Sequence, residues 1–437
     1  MFETLKNAFK VKEIRKKIWM TLLLLLVFRL GCYIPVPGLL RDTFANAIKN
    51  NEFLELMSSI TGGSLANGTL FALGIGPYIN ASIIMQLLCY GIPALERLSK
   101  EGEDGRRKIS QITRYVAIGL AIVQSAGFIV SFAANGNAIN HVIFGSGVWG
   151  ETAALWIAGV YMTVIYTAGA CFVMWLGDRI TEYGIGNGMS MVIFAGLIST
   201  AGDLLLQKFV LMFTVDLNVI WEILGFIAIT VVLFTAIITV DLSERKIPVQ
   251  YAKQVKGRKM YGGQKSEIPM RISSSGVMPL IFAFSIISMP SMIMSIWFAD
   301  TAAYAGYQEW FGQGTWLYTI VLCLLIFGFA FFYAMMQFNP DDVAKNIQQN
   351  GGFIQGIRPG RPTAEYLRKI SGRITLFSAI YLSLVAFIPS MAFSWVSLDL
   401  VNVFSTTGIL IVVSVAMEWD KQIQSQLMMK NYKGFLK

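Results

Sequence analysis

The residues of this chain that could do chemistry are few, and they do not form a catalytic set. A glycine-rich run, GIGNG at residues 184–188, resembles a phosphate-binding loop, in which backbone N–H groups hold an anion. No strand precedes this run and an apolar segment follows it, so helix entry and close packing explain its glycines better than a nucleotide does. The single histidine, His141, lies in a polar stretch, and neither an HExxH nor a GxxxxGKS/T motif occurs. We therefore expect no enzymatic activity, no metal site and no cofactor.

Ionisable groups inside the apolar segments are also scarce. Only Arg29 lies clearly within such a segment, and Glu222 lies near the end of another. Ion-coupled transporters depend on buried charges of this kind, so their scarcity disfavours a transporter. Arg29 either neutralises a loop carboxylate or faces the inside of a helix bundle, and the sequence leaves both interpretations open. The four cysteines lie in or beside apolar runs and are expected to be packed thiols rather than disulfides.

The elements that must position these residues are membrane-spanning helices. The chain has 437 residues, of which 55% are hydrophobic and 14% are charged, whereas soluble domains carry about 25% charged residues. Apolar runs of about 20 residues, the length that crosses a bilayer, predict ten spans and an all-α polytopic membrane protein. The spans lie near residues 18–36, 72–92, 115–133, 152–176, 186–206, 218–240, 273–296, 315–336, 371–391 and 401–418.

The basic residues predict how these spans are oriented. Six segments placed on the cytoplasmic side contain 31 of the 35 lysine and arginine residues, as the positive-inside rule requires. These segments are an amphipathic N-terminus at residues 1–17, loops at 93–114, 177–185, 241–272 and 337–373, and a tail at 419–437. Both termini are then cytoplasmic.

The ten spans divide into two halves. Five spans at residues 18–206 precede an external hinge loop at residues 207–217, and five more follow at residues 218–418. Because five is odd, the second half must enter the membrane from the opposite side. An inverted repeat around a central path is the natural consequence.

The segment of residues 61–88 cannot be one uninterrupted spanning helix. Its first half is rich in glycine and ends near Pro77, whereas residues 78–88 are uninterrupted and apolar. Glycine and proline open a helical hydrogen-bond ladder, and irregular backbone in a membrane survives only where protein buries it or it lines a water-filled cavity. We expect a half-helix at the axis of a channel or transporter, preceded by a segment that folds back. A re-entrant surface hairpin is the alternative.

Two of the cytoplasmic loops are longer than topology requires. Residues 241–272 alternate polar and apolar side chains around a Gly-Gly pair, which predicts a projecting hairpin. Residues 337–373 contain Asn-Gly-Gly and Arg-Pro-Gly-Arg-Pro turns. The basic residues of these loops either serve topology and attraction to lipid headgroups or form a docking surface for a cytoplasmic partner.

Four motifs carry a resemblance to a known family. They are FALGIGPYINASIIMQLL at residues 71–88, DRITEYGIGNGMSMVIFAG at 178–196, SSGVMPLIFA at 274–283 and GGFIQGIRPGRPT at 351–363. In this order, across ten spans, they resemble the SecY family, the channel-forming subunits of the bacterial Sec protein translocon. The resemblance implies two inverted five-helix halves around a central hourglass pore in the bacterial plasma membrane, with a re-entrant plug before the second helix.

The resemblance also implies which residues act within the membrane. A ring of aliphatic side chains would close the pore by excluding water and ions, a plug at about residues 57–70 would fill the outer funnel, and polar side chains would line a lateral gate. Methionine at position 189 departs from the commoner isoleucine of the ring but is still apolar. The ring residues are Ile75, Ile79, Met189, Ile193, Ile281 and Ile411; the plug residues are Thr61, Gly62, Gly63, Ser64, Leu65, Ala66, Asn67, Gly68 and Thr69; the gate residues are Asn80, Gln86, Ser273, Ser274 and Ser275.

The implied partners follow from the same resemblance. The two long cytoplasmic loops would dock the SecA ATPase and the ribosome, and SecE and SecG would be the membrane subunits. The implied function is to pass signal peptides and unfolded secretory polypeptides across the membrane and to release membrane-protein segments laterally into lipid, driven by SecA or by translation. An inverted-repeat secondary transporter is the alternative. The docking residues are Arg245, Lys246, Lys256, Arg258, Lys259, Arg358 and Arg361.

Overall fold

In a computed structural model, the described part of the chain is predominantly helical, with fourteen helices and five short strands. The description covers residues 2–39, 58, 61–134, 151–214, 219–251, 254–256, 259–261, 265–272, 278–298, 301–312, 315–396 and 406–434. The helices are α1 Phe2–Lys10, α2 Lys12–Gly31, α3 Gly76–Gly91, α4 Pro93–Lys100, α5 Glu103–Ala134, α6 Glu151–Tyr183, α7 Gly188–Thr214, α8 Val219–Leu242, α9 Met278–Trp297, α10 Ala302–Phe311, α11 Trp316–Gln337, α12 Pro340–Gln349, α13 Arg361–Val396 and α14 Thr406–Gly434. The strands are β1 Glu244–Tyr251, β2 Gln254–Lys256, β3 Lys259–Tyr261, β4 Lys265–Arg271 and β5 Gly352–Ile354.

Several of these helices are long and apolar enough to cross a membrane. Within the described residues there are five, or six if α3 and α4 count as one span with a 100° bend. The five are Glu103–Val130, Ala153–Tyr183, Gly188–Gln207, Trp316–Gln349 and Arg361–Phe387. Large apolar side chains such as Trp156 and Leu324 point outward from them, with 77% and 67% exposure, as a lipid-facing surface requires. The chain is therefore a multi-pass membrane protein, and the count of ten spans stays a prediction.

The chain forms two compact units by its internal contacts. The first contains residues 1–224, 288–309 and 398–437, and the second contains residues 225–287 and 310–397. In the first unit α5 packs on both α3 and α6, α2 packs on α6 and α7, and α14 packs on α1 and α7. Apolar residues of α5 and α6 form its core with Val36, Leu65 and Leu73. Helix α7 continues to Thr214, beyond residue 207, where the hinge loop was predicted to begin.

The second unit is organised by a small sheet. Strand β1 pairs antiparallel with β4, with Ile247 opposite Ile268, and the predicted hairpin of residues 241–272 is thereby confirmed. On its other edge β1 pairs antiparallel with β5, so the strand order is β4-β1-β5. One face of the sheet packs on α12 and α13 through a core that includes Val249, Ile354 and Leu367. Helix α11 packs along α13.

The prediction for the cysteines is also confirmed. All four are free thiols, and Cys32 is buried. The other three, Cys89, Cys171 and Cys323, are partly buried.

Candidate functional site

Residues 58 and 61–75, which we call the plug segment, form a chain of turns before α3 begins at Gly76. Glycine is needed at several of these turns, most clearly at Gly74, whose φ is +51° and where a Cβ would meet Thr61 Cγ2 at 2.8 Å. The expected break in the second span is therefore confirmed: irregular backbone comes first and an uninterrupted apolar helix follows. Most of the segment's side chains are buried, including Leu65 and Phe71.

Backbone hydrogen bonds hold the plug segment against the chain that follows α2. Val36 N–H donates to Gly68 O at 3.1 Å and Leu70 N–H donates to Ile34 O at 2.9 Å. Between them lies an antiparallel bridge between Pro35 and Thr69. These contacts satisfy buried backbone groups that would otherwise be unpaired.

Hydroxyl groups satisfy further polar atoms inside the plug segment. Thr61 Oγ1 donates to Ser58 O at 3.1 Å and accepts from Leu65 N–H at 3.3 Å. Ser64 and Thr69, both almost fully buried, bond through their hydroxyls. The small polar residues of the predicted plug thus supply its internal bonds.

An aromatic stack joins the plug segment to the helices around it. Phe71, with 2% exposure, lies between Phe28 of α2 and Phe172 of α6, with ring centroids 6.0 and 5.7 Å away. Gly31 on α2 makes room for this ring, because a Cβ there would overlap it. Stacked pairs of this kind add about 0.5–1.5 kcal/mol each beyond the area that they bury.

Arg29 lies at the same end of α2 and has a carboxylate partner. Its Nη2 lies 3.0 Å from Asp203 Oδ2 on α7, and its Nη1 donates to Gly62 O of the plug segment at 2.8 Å. The carboxylate belongs to a helix, not to a loop, and the arginine side chain is 23% exposed. The sequence left the partner of Arg29 open, and it gave no signal for the contact with Gly62.

Five of the six predicted ring residues lie in the first unit. Ile75 is buried at the N-terminal cap of α3, and Ile79 is half-buried one turn later. Ile193 on α7 and Ile411 on α14 are both 8% exposed, and these two helices pack on each other. Ile281, on α9, belongs to the second unit.

Met189, the one methionine among the predicted ring residues, has a specific neighbour. Its Sδ lies 2.5 Å from the point where a Cβ on Gly177 would stand. The methionine side chain therefore fills the space left by a glycine on α6. Whether it also contributes to a ring stays a prediction.

The predicted gate residues are described only in part. Asn80 and Gln86 on α3 are half-buried, and Gln86 Nε2 donates to Ser82 Oγ on the same helix at 3.3 Å. Ser273, Ser274 and Ser275 lie outside the described residues.

Two of the predicted docking residues on the β1–β4 hairpin are exposed. Arg245 and Lys246 are exposed on β1, and Nζ of Lys246 lies 3.6 Å from Oε2 of Glu267 on β4. Lys256 and Lys259 are opposite each other in the β2–β3 pairing, and Arg258 lies outside the described residues.

The other two docking residues flank the start of α13. Arg358 is exposed, and its carbonyl accepts a hydrogen bond from Thr363 Oγ1 at 2.8 Å. Arg361 is 92% exposed, and its Nε lies 3.7 Å from Oε1 of Glu365. Because β5 joins β1, the two long loops predicted to be cytoplasmic meet in one sheet. This pairing was not predicted; the signal for it in the sequence is the pair Phe353 and Ile354 after the Asn-Gly-Gly turn.

Comparison with known proteins places the chain among protein translocase subunits. A family profile described as SecY matches residues 69–419. A protein of Streptomyces galbus named protein translocase subunit SecY is 39% identical over 449 residues, with 100% of each chain covered. A solved structure described as "The structure of a protein conducting channel" is similar with a TM-score of 0.67 at 18% identity, covering 94% of this chain and 92% of that one. A second, "Sec61 in the Canine ribosome-channel complex from the endoplasmic reticulum", has a TM-score of 0.63 at 17% identity with the same coverage.

Proposed function

This chain belongs to the SecY family, and we propose that it is a protein-conducting channel that moves unfolded secretory polypeptides across the bacterial plasma membrane. The observation that carries the proposal is the buried plug segment, an irregular stretch held inside a multi-pass membrane protein. Irregular backbone at such a place must be buried in protein or line an aqueous path. In a channel that opens only for its substrate, such a segment is buried in protein when the channel is idle and lines the aqueous path when the channel conducts.

The ring supplies the seal of the proposed channel. Its side chains, Ile75, Ile79, Met189, Ile193, Ile281 and Ile411, offer no hydrogen bond to water or ions, so a narrow constriction made from them dewets and blocks ion flow. Aliphatic side chains can also move apart around an extended polypeptide and close on it. The burial of Ile75, Ile193 and Ile411 within the first unit supports an inward-facing position for them.

The plug segment is a second barrier in the same path. Its bonds to the chain after α2 are backbone hydrogen bonds, and its buried large apolar side chains are Leu65, Phe71, Leu73 and Ile75. A segment of turns with this few large side chains can leave its seat without unfolding a helix.

A lateral gate lets apolar segments leave for the lipid. In the proposal Asn80 and Gln86 on α3 face Ser273, Ser274 and Ser275 at the start of the seventh span. Hydrogen bonds between membrane helices contribute about 0.6 kcal/mol on average, so an apolar signal helix can replace them by partitioning into lipid. Changing Gln86 to Leu should shift the tolerance for weak signal sequences in an export assay, and unchanged tolerance would contradict the gate.

The energy for transport comes from partners, since the channel itself catalyses no reaction in this proposal. The exposed basic residues of the β1–β4 hairpin and of the turn at Arg358 are proposed to dock the SecA ATPase and the ribosome. Arginine and lysine suit both acidic protein surfaces and RNA phosphates, and one structural relative is described as part of a ribosome–channel complex. SecE and SecG are the proposed membrane subunits, and both termini are proposed to be cytoplasmic.

A reconstitution tests the proposed function. Vesicles containing this chain with SecE and SecG receive SecA, ATP and a radiolabelled precursor that carries a signal peptide, and protease-protected precursor is measured. Protection should require ATP, SecA and the signal peptide. A precursor that stays fully protease-sensitive under these conditions, in vesicles whose protein is correctly inserted, would contradict the proposal. An ion-coupled uptake of small solutes would instead favour the secondary transporter, which the scarcity of charges within the apolar segments disfavours.

A further inference from the structure

Arg29 contacts three different elements at one end of the first unit. Its Nη1 donates to Gly62 O at 2.8 Å, and its Nη2 donates to Tyr33 Oη at 2.9 Å and to Asp203 Oδ2 at 3.0 Å. The guanidinium carbon also lies 4.8 Å from the centroid of the Tyr33 ring. A planar guanidinium with this many partners is held in one orientation. The donor that points at the plug segment is therefore fixed in place by α7 on one side and by the end of α2 on the other.

The plug segment meets this donor at a residue that must be glycine. Gly62 has a φ of +71°, and a Cβ there would lie 2.9 Å from Arg29 Nη1 and 3.1 Å from the Cα of Gly196. Only a bare backbone fits between the arginine on α2 and the glycine on α7. The segment is thus seated between two helices at this residue, with its carbonyl aimed at a cation.

We propose that Arg29 is the positioning residue that holds the plug segment in its seat and couples that seat to α7. This inference rests on the proposed channel function. The ion pair with the half-exposed carboxylate of Asp203 contributes little by itself, so the role of Asp203 is to orient the guanidinium. Helix α7 also carries Ile193. A movement of α7 that widens the ring would therefore withdraw Asp203, release the guanidinium and loosen the plug segment in the same step.

A native cysteine, Cys32, can report whether the plug segment is in this position. Cys32 is 2% exposed and lies two residues before Ile34, whose carbonyl accepts a hydrogen bond from Leu70 N–H of the plug segment. When the segment leaves, the thiol becomes accessible to a water-soluble maleimide. The rate at which Cys32 is labelled therefore measures the unseated population.

The test uses the full chain, reconstituted in vesicles with SecE and SecG, in a background where Cys89, Cys171 and Cys323 are alanine. Arg29→Gln should raise both the labelling rate of Cys32 and the ion leak of the idle channel by about tenfold, the effect of losing one hydrogen bond from a charged donor. Arg29→Lys keeps the charge but lacks the planar fork that reaches Gly62, Tyr33 and Asp203 together, so it should restore the parent behaviour only in part. A rate faster than that of the parent protein reports exposure of the thiol.

Two further variants separate positioning from general damage. Gly62→Ala keeps Arg29 but forces the plug backbone out of its left-handed conformation, and it should raise labelling and leak as well. Arg114→Gln removes a different ion pair of the same unit, with Asp178 at 3.0 Å, and should change neither readout.

The outcomes distinguish this inference from the function on which it rests. If Arg29→Gln and Gly62→Ala both leave labelling and leak at the parent level while precursor translocation continues, the positioning role is overturned and the channel stands. If Arg29→Lys behaves like the parent protein in both readouts, the fixed orientation of the guanidinium has no role and the inference also fails. If the parent protein itself does not translocate precursor, the proposed function fails first.

Discussion

The sheet that joins the two long loops, residues 241–272 and 337–373, should depend on one buried leucine. Leu367 of α13 has 0% exposure and packs in the same core as Val249 of β1 and Ile354 of β5. Truncating a fully buried leucine to alanine costs about 2–5 kcal/mol. Because Leu367 contacts the sheet from the helix, we expect Leu367→Ala to weaken the docking of the sheet on α13. Even about 2 kcal/mol changes the ratio of open to docked sheet by a factor of about 30.

Limited trypsin digestion of the purified protein measures this ratio. Arg245 and Lys246 are trypsin sites in β1, where sheet hydrogen bonds protect the backbone. When opening is fast compared with cleavage, the cleavage rate follows the population of the open form. Leu367→Ala should therefore speed cleavage in β1 by about 30-fold or more.

A matched control lies on the same helix. Leu376 is 47% exposed, and surface substitutions change stability by about 0.5 kcal/mol or less, so Leu376→Ala should leave cleavage near the parent rate. Equal cleavage rates in the two variants would refute the assignment of Leu367 to the core that holds the sheet. SecA-driven translocation should fall with Leu367→Ala and persist with Leu376→Ala.

Three further predictions address the ring and the docking surface. Ile193→Ser places a hydroxyl at the predicted constriction and should raise the ion conductance of the idle channel in planar bilayers. Ile198→Ser, at a site 45% exposed on the same helix, should leave this conductance unchanged. Equal conductance in the two variants would count against the ring. Gly177→Ala should overpack against Met189 and lower the free energy of unfolding in detergent by about 1–3 kcal/mol. The loss should be smaller when Met189→Ala is also present. An equal loss in both backgrounds would show that the two side chains do not meet. Arg358→Glu should reduce SecA-driven translocation without changing the trypsin pattern, and undiminished translocation would remove it from the docking surface.

The sequence predicted those features that local residue chemistry determines. The break before α3 follows from glycines and Pro77, which no helix interior accommodates, and the β1–β4 hairpin follows from alternation around a turn. The pairing of β5 with β1 does not follow in the same way. Its three residues, Gly352–Ile354, are too few for a periodic signal, and their partner lies about a hundred residues away in the chain.

The candidate site was predictable as a set of positions but not as a set of contacts. Arg29 was noticed because an arginine in an apolar run is rare, yet its partners Asp203 and Gly62 come together only through packing. The neighbour of Met189 was equally hidden, since the space that it fills is the absence of a side chain at Gly177. Contacts of this kind depend on tertiary structure, which neither periodicity nor residue type encodes locally.

The path of the polypeptide through the ring is tested most directly by photo-crosslinking. A photoreactive residue replaces Ile79 of α3 or, separately, Ile281 of α9, and the reconstituted channel is given a stalled secretory precursor. Both positions should crosslink to the mature part of the precursor in a signal-peptide-dependent manner, while a control at Leu324, 67% exposed on α11, should crosslink to lipid. Crosslinks to the precursor from Leu324 and none from Ile79 or Ile281 would contradict a central pore and place the polypeptide outside the ring.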